Sequence, residues 1–76
     1  MTKLEEKLEE LGYKVSMTQT IGEIVIKTWL KEIDAINFHW VQTIDGKLMG
    51  VMSDKPKEMQ KDLEVLREYE NVKGDN

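Results

Sequence analysis

The chain has no cysteine, and only one histidine, one proline and one phenylalanine in 76 residues. The absence of cysteine excludes disulfides and thiolate zinc sites alike. A single imidazole has no second histidine with which to build a metal site. Neither a glycine-rich phosphate loop, a nucleophile elbow nor a histidine-containing metal motif occurs. No run approaches the roughly 18 apolar residues that cross a bilayer. The first ten residues, MTKLEEKLEE, carry acids where a secretory signal has a basic start and an apolar middle. These absences lead to the expectation of a cytoplasmic, non-catalytic protein with no metal, no cofactor and no membrane segment.

A chain of this length buries only roughly 60–65% of the surface that its unfolded form exposes, so its margin of stability is thin. With no disulfide or metal to compensate, it must rely on close packing or on association with a partner. The apolar fraction of 39% and charged fraction of 34% suit one folded domain over residues 1–76. Residues 71–76, NVKGDN, read as a frayed tail. The net charge of −4 counts against wholesale nucleic-acid binding, which wants a basic face.

The periodicities divide the chain into six elements. Thr2 and Glu5 have capping-box spacing, and Leu4, Leu8 and Leu11 form one helical stripe over residues 3–11. Gly12 suits the helix end. From Tyr13 the period changes to two, with Tyr13, Val15 and Met17 alternating with Lys14, Ser16 and Thr18. A turn at Gly22 leads into a strand over residues 23–31, and 32–35 is a polar break. Residues 36–44 alternate again, then Asp45-Gly46 gives a strong hairpin signal because both central residues of a type I′ turn need positive φ. The returning strand covers 47–52, with Gly50 predicting a bulge or a close backbone approach. A final helix covers 56–70, with Pro56 in its first turn and a stripe of Met59, Leu63, Leu66 and Tyr69 or Glu70.

The order α-β-β-β-β-α with short connections predicts an α+β two-layer sandwich built on an antiparallel meander. In its simplest version both helices cover the face carrying Ile24, Ile26, Phe38 and Trp40. The opposite face would then present Val25, Trp29, His39, Val41, Met49 and Val51, interleaved with Lys27, Lys31, Asn37 and Thr43. A solvated sheet face is ordinarily more polar than this, and Trp and Met are enriched where proteins touch. Three readings are open: a helix covers each face and this surface is core, two copies pair through it, or it takes a different protein.

No residue set points to catalysis. His39 has Asn37 and Val41 as its strand neighbours, which supply neither a nucleophile nor an orienting acid. The acid pairs Glu58/Asp62 and Glu64/Glu68, and the four acids Glu5, Glu6, Glu9 and Glu10, have the spacing of solvated helix faces rather than of an enclosed carboxylate pair. Glu9 and Glu10 stand at the negative end of the first helix, where acids are mildly unfavourable.

The helix–sheet–helix order, with Asp54-Lys55-Pro56-Lys57 opening the second helix, resembles the layout of a double-stranded-RNA-binding domain. The resemblance implies phosphate contacts from Lys55, Lys57 and Lys61; a duplex binder of this kind would have Lys27 and Lys31 to assist. The chain departs from that family in its extra strand, its acidic first helix and the placement of Glu58 and Asp62 among the lysines. The leading expectation is therefore a small protein-interaction module, self-pairing as a homodimer or binding another protein as an accessory or inhibitor of phage type. Duplex binding is the alternative.

Overall fold

The structure, a computed structural model, describes residues 1–70 of the 76; the tail expected at 71–76 lies outside the described residues. Helix α1 (Lys3–Glu10) is followed by β1 (Lys14–Ile21), β2 (Ile24–Glu32), β3 (Phe38–Ile44), β4 (Lys47–Ser53) and helix α2 (Pro56–Glu70). The four strands form one open sheet in the order β1-β2-β3-β4, every neighbour antiparallel. This is the expected α+β order.

Local chemistry explains the element boundaries. The Thr2 N–H donates to Glu5 Oε1 (3.0 Å) and the Glu5 N–H donates to Thr2 Oγ1 (3.2 Å), closing the capping box and satisfying two of the helix's orphan donors. Asp45 and Gly46 both take positive φ, 50° and 81°, as a type I′ hairpin requires. β3 begins at Phe38, two residues later than the alternation suggested. Asp34 Oδ1 accepts the N–H groups of both Ile36 and Asn37 at 3.0 Å, and this side-chain turn leaves Ile36 in an exposed loop. The irregularity expected near Gly50 is a bulge at Met49, between the pairs Gln42–Gly50 and Thr43–Leu48. A Cβ added at Gly50 would meet nothing within 4 Å, so the glycine is not kept there by a close neighbour.

Both helices lie on one face of the sheet, but it is the face opposite to the one expected. The core consists of Leu4 and Leu8 from α1, Met59, Leu63 and Leu66 from α2, Tyr13 from the connection, and Trp29 and Val41 from the sheet. The two helix stripes are the ones the periodicity predicts. The sheet contributes through two cross-strand rows, Val15–Trp29–Val41–Val51 and Thr18–Lys27–Thr43–Leu48.

The reason for the reversal lies in the lysines. Lys27 and Lys31 suggest a solvated face by their charge, yet each helix supplies a buried carboxylate to meet one of them. Lys27 Nζ bonds Glu5 Oε2 of α1 at 3.1 Å, and Lys31 Nζ bonds Asp62 Oδ2 of α2 at 3.1 Å. The aliphatic stems pack inward while the ammonium groups end on acids. Lys27 also lies 6.0 Å from the Trp29 ring centroid and Lys31 5.5 Å from that of Tyr13, within cation–π range.

Candidate functional site

The residues expected to form an interaction surface are divided by this packing. Trp29, His39 and Val41 are buried beneath the helices and cannot meet a partner's side chains. Val25 is half-buried; Val51, paired with Val41, is exposed where the covered face reaches edge strand β4. Met49 is exposed at the bulge. The expectation of one continuous binding face through Trp29 is therefore corrected: that surface is mostly core.

What remains uncovered is the other face. Its cross-strand rows are Lys14–Leu30–Trp40–Met52, Met17–Thr28–Gln42–Gly50 and Gln19–Ile26–Ile44–Lys47. Ile21–Ile24 extends it at the β1–β2 hairpin tip and Glu32–Phe38 at the other end. Met17 is 55% exposed, Ile21 63% and Met52 67%, and no helix among the described residues lies over them. Phe38 and Trp40 pack against each other with centroids 5.8 Å apart. The polar groups at the centre engage one another, Gln42 Nε2 donating to Thr28 Oγ1 at 3.4 Å. Lys14, Glu32 and Lys47 stand at the ends of the strands. The middle of the face thus holds no charge.

The charge of the molecule is on the other side. The two helices hold five basic and nine acidic residues, a balance equal to the whole net charge of −4. An acidic helical layer therefore backs a sheet face whose charges stand only at the strand ends.

His39 sits in a buried polar cluster between the sheet and α2. Its Nδ1 is 2.5 Å from Ser53 Oγ, and its ring stacks on Tyr13 with centroids 6.5 Å apart. The Tyr13 hydroxyl donates to Asp62 Oδ2 at 2.9 Å, the oxygen that also receives Lys31. Burial pushes the His39 pKa below the ordinary imidazole value and outweighs the attraction of Asp62 and Glu58; Lys31 acts in the same direction as burial. Burial, reinforced by the bond to Asp62, pushes the Tyr13 phenol well above its usual range. A serine beside a histidine resembles a nucleophile and its base. Here, however, Ser53 Oγ also accepts the Lys55 N–H at 2.9 Å, which anchors the approach to α2, and the His39 ring itself is buried. Ser53, Tyr13 and Asp62 could not be grouped with His39 from spacing, because they come from three separate segments.

An open cleft of about 330 Å³ lies where the N-terminus of α1 meets the β3–β4 turn, lined by Met1, Thr2, Glu5, Val25, Lys27, Asp45 and Gly46. Its polar groups bond across it. The Thr2 hydroxyl donates to the Gly46 carbonyl at 2.9 Å, the Val25 N–H donates to Asp45 Oδ1 at 2.9 Å, and Lys27 meets Glu5. Burial acts to raise the Glu5 pKa, but the Thr2 N–H and Lys27 together outweigh it and hold the carboxyl below its ordinary value. Neither Ser53 nor His39 lines this cleft. Among the described residues no three histidine or carboxylate side chains converge as metal ligands, and no helix is long and apolar enough to cross a membrane.

The lysines of the nucleic-acid alternative are not gathered into one patch. Lys55 Nζ lies 3.7 Å from Asp34 and 3.6 Å from Glu58. Lys57 and Lys61 are exposed on α2, whereas Lys27 and Lys31 are committed to Glu5 and Asp62. Comparison of the chain with protein-family models, with curated proteins and with solved structures gives no match.

Proposed function

We propose that this protein is a non-catalytic protein-interaction module of the cytoplasm whose working surface is the open face of its sheet. One observation carries the reading: a four-stranded sheet has both helices on one side, and its other side bears large apolar side chains on all four strands with its charges confined to the strand ends. Antiparallel sheets with one solvated face usually make that face polar. Scattered apolar side chains need no explanation, but large ones on all four strands of one uncovered face do. The composition of the patch, with Trp40, Phe38, Met17 and Met52 among isoleucines, matches what is enriched at protein contacts. A small two-layer domain that offers one such face suits an accessory or inhibitory role.

The test is site-specific photocrosslinking in the cell that produces the protein. A photoreactive side chain at Met52 or Ile24, on the open face, should capture a protein. The same group at Gln60 on α2 should not. Absence of any protein adduct from the open-face positions, with normal accumulation of the chain, would dismiss the reading.

A further inference from the structure

We infer that edge strand β1 pairs with β1 of a second copy, antiparallel about Gln19, so that two four-stranded sheets join into one. The contact uses the strand edge and holds whatever the open face binds. β1 stands at the end of the sheet order and is exposed along all eight residues. Edge strands ordinarily carry a charge, a proline or a bulge that blocks further pairing. In β4, the other edge, the bulge at Met49 interrupts the middle of the strand. In β1 the bulge lies at Ser16, near the start, and residues 17–21, MTQTI, run on with none of the three.

The backbone of that stretch turns outward at two residues. Ile21 and Ile24 close a two-residue turn, and such a closing pair is hydrogen-bonded. Bonded and unbonded pairs then alternate along the ladder. Thr20, opposite Val25, and Thr18, opposite Lys27, are therefore the residues without bonds to β2. Val25 bears out this phase. Its C=O accepts the Asp45 N–H at 2.8 Å and its N–H donates to Asp45 Oδ1 at 2.9 Å, both on the side away from β1. The N–H and C=O groups of Thr18 and Thr20 thus point past the sheet, where an extended strand is their chemical complement.

The stretch is complementary to itself. With Gln19 opposite the partner's Gln19, Thr18 meets the partner's Thr20 and Thr20 the partner's Thr18, so every outward donor and acceptor of the four threonines is paired. Met17 then meets the partner's Ile21 on the side of the open face, and the threonines meet on the other; apolar and Thr–Thr cross-strand pairs are both favourable. Shifting the register sets Thr20 against the partner's bulge or Thr18 against its turn at Gly22. Each chain carries a net charge of −4, but no charge enters the paired stretch. Beyond it, Lys14 of each copy lies toward the partner's Glu23, so the nearest charges are opposite in sign.

The experiment is sedimentation equilibrium of the full chain from roughly 1 µM to roughly 1 mM, the span over which weak to moderate pairs dissociate. The parent is compared with Gln19→Lys, with Gln19→Glu and with an equimolar mixture of the two variants. Gln19 is exposed, so each variant should keep the parent's circular dichroism spectrum. The parent's mass is expected to approach twice 8.9 kDa. Each variant alone sets like charges opposite one another and should raise the dimer dissociation constant about threefold or more. The mixture, in which lysine faces glutamate, should recover the parent's association. The Thr18 and Thr20 amides of the parent should also exchange more slowly as the chain is concentrated. A dimer that neither variant weakens, or one that the mixture does not restore, would be built on another surface and would overturn the inference. A monomer throughout would overturn it too. Crosslinking from Met52, on the opposite edge strand, reads the open face alone, so a foreign protein captured there would leave the proposed function standing in either case.

Discussion

Gly46 joins two constraints that no other residue satisfies together. Its φ of 81° lies in the left-handed region, which L side chains rarely adopt. A Cβ added there would also collide with the Thr2 side chain, whose hydroxyl bonds the Gly46 carbonyl. Gly46→Ala is therefore expected to lower stability by about 1–3 kcal/mol, read as a lower urea midpoint with an unchanged slope. His39 supplies a second residue-scale prediction. Its folded-state pKa is depressed mainly by burial, so between that value and the unfolded pKa near ~6.5 the unfolded chain binds more protons. Stability is then complete above about pH 7 and is lost as pH falls through the depressed folded pKa. Asp62, Glu58, Lys31 and Tyr13 face the ring, and none of them removes the burial cost. Denaturation midpoints measured between about pH 7 and pH 5 should decline, and His39→Gln should flatten that decline. Glu5 acts in a lower window: its depressed pKa makes its contribution disappear only under more acidic conditions.

At the scale of elements, each helix is joined to the sheet by an apolar stripe and by one carboxylate. Leu66 is fully buried at the centre of the α2 stripe, and Leu66→Ala should cost about 2–5 kcal/mol through lost burial and the cavity left behind. Asp62 occupies the same helix face and serves two donors, Tyr13 and Lys31. Removing it by Asp62→Ala strands a buried hydroxyl and a partly buried ammonium, at an expected cost of about 3 kcal/mol. Hydrogen exchange should then show α2 protection lost before that of the β2–β3 pair, because the substitution severs the helix from the sheet and leaves the ladder intact. The helices themselves were legible in the chain: Leu4 and Leu8, and Met59, Leu63 and Leu66, repeat with helical period, and the caps lie where their side-chain chemistry demands. The bulge at Met49 was legible only through its neighbour Gly50, since a glycine marks weakened pairing without saying which residue is left over.

For the whole molecule, the two tryptophans separate fold from binding. Trp29 is buried and its Nε1 donates to Thr43 Oγ1 at 3.1 Å. Trp29→Ala should therefore cost about 3–5 kcal/mol, enough to unfold much of a domain this small, and circular dichroism should report loss of structure rather than loss of a contact. Trp40 lies on the uncovered face. Trp40→Ala should leave the far-ultraviolet spectrum folded while weakening association through that face. The inverse pattern, a folded Trp29→Ala variant and an unfolded Trp40→Ala variant, would show that the helices cover the other side of the sheet.

Period, caps and turn residues are local properties, and they determined the order of the six elements, the antiparallel meander and the apolar stripe of each helix. The face of the sheet that receives those helices is not local. Both faces alternate with comparable apolar content, so the strand pattern alone left open whether the face bearing Lys27 and Lys31 is core or surface. Tertiary packing decided it by bringing Glu5 and Asp62, from opposite ends of the chain, onto those two lysines. Pairing with these carboxylates offsets the desolvation that would have kept the lysines in water, so Trp29 and Val41 became core and the row through Leu30, Trp40 and Met52 was left outside.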